Sequence, residues 1–147
     1  MDAEQPPLTS DLPDPCVAED LIDRGVSEFG ELLAELLEAT PGACGAVLSD
    51  GVDDTIDTAH RPSEISALDV CIAGAQVGQA MTRLTVSAII FGVGRPQVVL
   101  EAPDKVLITK VLWEEYLLTL VLRPHANITR AMRDFDDTAE RVLALLR

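Results

Sequence analysis

The stretch Trp113-Glu-Glu-Tyr-Leu-Leu-Thr-Leu-Val-Leu-Arg-Pro124 decides the architecture, because from Leu117 to Leu122 five of the six residues are large aliphatics. A strand with one face in water alternates polar and apolar residues, since successive side chains point to opposite faces of the sheet. This segment does not alternate, so it is expected in a sheet interior with cover on both faces, from the same chain or in part from a second subunit. Two further strands are expected before it, Gln97–Glu101 and Lys105–Leu112, with turns at Pro103-Asp104 and Glu114-Glu115. Links this short forbid a parallel crossover, which leaves an antiparallel meander.

Upstream of the meander, Val70, Val77, Met81, Leu84, Ala88 and Phe91 recur at steps of three, four and seven. That spacing is one face of a helix, opened by Ser63 as N-cap and stopped near Gly92. The β-branched run Val86 to Val93 also suits a strand, but the helical spacing passes through it without slipping, and helix is the reading adopted. Before it, Asp50-Gly51 sits between two short strand-like pieces as a hairpin turn. A first helix runs from about Val17 through Leu21, Ile22, Val26, Phe29, Leu33 and Leu37 to a stop at Thr40-Pro41-Gly42. A last one follows the Asn127 cap, with Ile128, Ala131, Phe135, Ala139 and Val142 on its apolar face. The order α-β-β-α-β-β-β-α makes an α+β domain, a five-stranded antiparallel sheet with helices on both faces, over residues 17–147.

The 147 residues suffice for one such domain. Residues 1–16 hold four prolines and several acidic residues without apolar periodicity, and are expected to be a flexible tail. With 11 Lys and Arg against 25 Asp and Glu, the formal charge of −14 repels nucleic acid and anionic membrane. No run is long enough to span a bilayer, and Met1 to Pro15 lacks a signal-peptide pattern, so a cytoplasmic location is expected. Cys16, Cys44 and Cys71 are odd in number and far apart, which reads as buried thiols.

Catalytic groups are sparse. His60 and His125, the only histidines, lie close to Pro62 and beside Pro124 in expected loops, with no nucleophile motif attached. Asp50, Asp53, Asp54 and Asp57 lack the spacing of a calcium loop and read as an acidic hairpin rim. Gly92-Val93-Gly94 is a helix stop, not a phosphate loop. The Asn127-Ile128-Thr129 sequon is taken up by capping. Trp113 is either an exposed anchor or a core-edge residue. No enzyme, metal or cofactor is expected.

The long helix carries a second, small-residue face, Ala67, Cys71, Gly74, Ala75 and Gly78. Interior glycines cost roughly 1 kcal/mol each relative to alanine, so a close helix–helix contact is expected there. That contact is either between subunits or with the first or last helix of the same chain. Gln76, Gln79 and Arg83 are polar positions of the same helix that either meet a partner protein or form its solvated edge.

In this order of elements the chain resembles the roadblock or dynein light-chain family over about residues 20–147. Gly45–Val52 looks like that family's first hairpin, Gln97–Lys110 like the strands after its long helix, and Tyr116–Arg130 like its last strand and capped last helix. Among bacterial members the chain is most similar to those of gliding motility and cell polarity, the MglB and MglC branch, with Asp57–Val70 resembling the MglC kind. The resemblance implies a homodimer, often with a sheet continuous across subunits, that regulates or scaffolds a Ras-like small GTPase, alone or with another roadblock protein. A small-molecule-sensing module of profilin- or PAS-like architecture is the alternative.

Overall fold

A computed structural model describes residues 21–50 and 54–147. The expected tail at 1–16, the start of the first helix at Val17 and the turn residue Gly51 lie outside the described residues. The elements run α1 (Glu28–Ala39), β1 (Ala43–Asp50), β2 (Asp54–His60), α2 (Ala67–Phe91), β3 (Gln97–Glu101), β4 (Val106–Val111), β5 (Tyr116–Leu122) and α3 (Ile128–Leu146). The five strands form one sheet in the order β2-β1-β5-β4-β3, every neighbouring pair antiparallel. Element order, strand number and the β3-β4-β5 meander are those expected from the sequence.

The opening stretch lies at the centre of that sheet. Leu118, Leu120 and Leu122 enter the main core with Leu33, Leu36 and Leu37 of α1 and Phe135 and Val142 of α3. Leu117 turns to the other face, where it packs with Met81 of α2 and Val111 of β4. Both faces are thus covered from within the chain. Each such leucine, fully removed from water, contributes about 1.5–3 kcal/mol.

Helix α2 lies close on β1 because glycines interlock with valines. A Cβ on Gly74 would stand 2.8 Å from Val47 Cγ1, and one on Gly45 would stand 2.7 Å from Val70 Cγ2. Neither position tolerates a side chain without moving helix or strand. The helix is unbroken through the β-branched stretch and ends at Gly92, whose φ of 69° is the left-handed conformation of a glycine stop.

Two helix starts differ from expectation. The N-cap of α2 is Ser66, whose hydroxyl accepts from the Asp69 amide at 3.0 Å; Ser63 precedes it in a turn closed by bonds from the Glu64 and Ile65 amides to the Arg61 carbonyl. Glu64 pairs instead with Arg123. Helix α1 begins only after the Ser27 cap. Leu21 to Val26, although in step with its apolar face, are diverted by Gly25 at φ 71° and by two backbone bonds between Asp23 and His60 that cover the end of β2. His60 is accordingly a buried strand-end residue and not a solvated loop residue, whereas His125 is exposed in a loop, as expected.

Candidate partner-binding surface

Helix α2 has 25 residues, of which only Asp69 and Arg83 are charged. The opposite side of the sheet contrasts with it. There α1 carries Glu28, Glu31, Glu35 and Glu38, and α3 carries Asp134, Asp136, Asp137 and Glu140 against Arg130, Arg133 and Arg141. The negative charge is concentrated over α1 and α3, where ion pairs such as Arg141–Glu35 and Arg24–Glu38 are exposed. Burying the outer face of α2 itself therefore removes few charges from water, as the core of a protein interface requires.

Packing on β2, β1 and β5 leaves α2 separated from the outer strands by a groove. Ala73, Val77 and Leu84 line its helix wall, and Val98, Leu100 and Leu107 its sheet wall, around about 290 Å³. Its walls are open to solvent, with Leu84 43% and Leu100 52% exposed. A second cavity of about 340 Å³ continues it past Ala73, Leu100 and Leu107 toward Ile65 and Lys105. Beyond the groove, among the described residues β3 pairs with β4 alone, which leaves the backbone groups of its outer edge without a described partner strand. The last turn of α2 exposes Ile89, Ile90 and Phe91 at 73–79%. Exposed apolar groups in this number are the kind of surface that proteins use for contacts.

The residues singled out in the sequence divide between inside and outside. Gly74 and Gly78 are buried, Gly74 against Val47 of the chain's own sheet. Cys71 and Ala75 are half-buried, and Ala67, Gln76, Gln79 and Arg83 are exposed. The closest approach on the small-residue face is thus helix to strand within the chain, while its shoulders and the polar positions remain on the surface. The groove-side residues Leu84, Val98 and Leu100 were not foreseen. Their signal was present in the sequence as apolar positions beyond what one sheet face needs.

The described residues hold little catalytic machinery. Among them no three His, Cys, Asp or Glu residues gather as a metal site. Asp57, expected on an acidic rim, is buried and accepts from the amides of Val26, Ser27, Gly30 and Thr58 and from the Ser27 hydroxyl. Burial pushes its carboxyl up, but those bonds outweigh it and hold the group below the usual carboxylate range. The arrangement ties α1 to β2. Cys44 is buried, and that burial raises its thiol above the ordinary value. Trp113, half-buried at the β4–β5 turn, stacks on Tyr116 with ring centroids 6.3 Å apart.

No protein-family model matches the sequence. No curated protein matches it significantly. Solved structures do. A roadblock/LC7 domain from Streptomyces avermitilis superposes with a TM-score of 0.68 at 18% identity, over 79% of this chain and 95% of that one. An MglB in a tetrameric arrangement gives 0.70 at 20% identity, over 79% and 85%. MglC from Myxococcus xanthus gives 0.56 at 21%, over 80% and 98%. Order of elements, sheet and superposition agree: this chain has the roadblock/LC7 fold.

Proposed function

We propose that the chain is a non-enzymatic interaction protein, a homodimer that regulates or scaffolds a small Ras-like GTPase, alone or with another roadblock protein, in cell polarity or motility signalling. The observation that carries this reading is the nearly uncharged, apolar surface formed by α2 and the free β3 edge. A second copy placed edge to edge at β3 would pair the open backbone groups and bring apolar surface over both grooves at once. The fold neighbour MglB, solved in a tetrameric arrangement, is in keeping with self-association. Gln79 and Arg83, exposed and outside the groove lining, are then the polar positions of α2 offered to the GTPase, while Gln76, which lines the groove, meets the second copy.

The mechanism is surface complementarity. Any effect on GTP hydrolysis would come from positioning the GTPase's own switch loops, and no residue of this chain is assigned as an inserted arginine. The sensor reading has less support, because the α2 groove is open along walls that are about half exposed, whereas small-molecule sites enclose most of their ligand. The test is light scattering behind a sizing column, with the chain mixed with a Ras-like GTPase from the same genome in its GDP and GTP forms. Co-elution with one nucleotide form supports the regulator reading. Indifference to both forms contradicts it.

A further inference from the structure

On the flank of α2 away from the groove there is a third concavity, about 330 Å³, between the helix and the β4–β5 turn. Val86 forms its helix wall, two residues from the groove residue Leu84 and therefore about 200° around the helix from it. Of its lining only Met81, itself buried, also faces the groove, so a partner seated there leaves the rest of this side open. Met81, Val111 and Leu117 make an apolar floor. Thr82 and Thr85 also line it, but their hydroxyls donate to the Gly78 and Met81 carbonyls, so the wall gains no free donor.

The rim is acidic. Glu114 and Glu115 border the notch, and neither forms an ion pair within the described chain. Arg95 donates to the Leu112 carbonyl and to neither glutamate. Glu114 is held at φ 54°, in a turn closed by the Leu112 amide on the Tyr116 carbonyl and the Tyr116 amide on the Trp113 carbonyl. Two unpaired carboxylates over an apolar floor fit an apolar side chain flanked by lysine or arginine.

We propose that this notch docks a basic amphipathic helix of another protein. Charge selects that occupant. The chain's own residues 1–20 contain Asp2, Glu4, Asp11, Asp14, Glu19 and Asp20 with no lysine or arginine, and none of the described helices of a second copy is net basic. Neither supplies the cationic helix that the rim selects.

The test titrates a synthetic helix of about 18 leucines and lysines, long enough to be helical when bound, into the full chain. The readouts are emission of the single tryptophan, Trp113, one residue from Glu114, and amide shifts in ¹⁵N spectra. The proposal expects shifts centred on Met81, Val86, Val111 and Leu117. It expects about tenfold weaker binding to Glu114→Gln/Glu115→Gln and to Val86→Asp, and no change with Glu31→Gln/Glu35→Gln on α1. Shifts centred on α1 and α3, equal binding to the rim variant, or equal binding of a leucine–glutamate helix would overturn it. So would a chain whose own association is abolished by Val86→Asp, since the notch would then belong to a second copy. None of these outcomes depends on whether a GTPase binds.

Discussion

The amide of Gly30 donates to Asp57 at 3.0 Å, and a Cβ on Gly30 would stand 2.6 Å from the same carboxylate oxygen. The first turn of α1 is thereby fitted to a side chain 27 residues further along. Glycine at position 30 is required by that approach, and by the Arg24 carbonyl 2.1 Å from the same point. Gly30→Ala is expected to lose about 1–3 kcal/mol in urea unfolding, although alanine is the better helix former. A stabilised variant would show that the Asp57 contact does not constrain the turn.

Asp57 also sets a pH dependence. Its folded-state pKa is depressed, so its stabilising effect is present above the unfolded value of 3.8 and is lost as pH falls below that. Wild type should therefore lose stability in acid more steeply than Asp57→Asn. At neutral pH the variant should be less stable by about 2 kcal/mol, because the amides of Val26, Ser27 and Gly30 lose a charged acceptor. Parallel acid limbs in melts of the two proteins would count against this account.

Gly74→Leu separates two roles for one glycine. With Val47 Cγ1 2.8 Å from its Cβ position, the larger residue is expected to lift α2 off β1 and lower the melting temperature by several degrees. A variant with an unchanged melt and reduced self-association would return Gly74 to the interface that its spacing first suggested.

Much of this fold was legible in the sequence because the strongest signals were long and periodic. The seven-residue spacing of α2 held through the β-branched stretch to Gly92, and the aliphatic run of β5 announced a strand covered twice. The errors lie where a distant contact overrides a local pattern. Leu21 to Val26 fit a helical face, yet Asp23 pairs with His60 and Gly25 turns the chain. Asp57 looked like one acid of a hairpin rim because its partners at Val26 to Gly30 are remote in sequence. Ser66-Ala-Leu-Asp69 did carry a local capping signature, three residues after the serine chosen. At the candidate interface, periodicity located the small face of α2 but not its neighbour, which for Gly74 is the chain's own sheet.

The central claim is self-association through the α2 groove and the β3 edge. Its most direct test is the solution mass of the chain beside that of Leu84→Glu/Leu100→Glu, which places charge on both walls of the groove at exposed positions that the fold does not need. The account predicts twice 15.8 kDa for the wild type and 15.8 kDa for the variant, with nearly equal melting temperatures. A monomeric wild type, or a variant that remains a dimer, would contradict it.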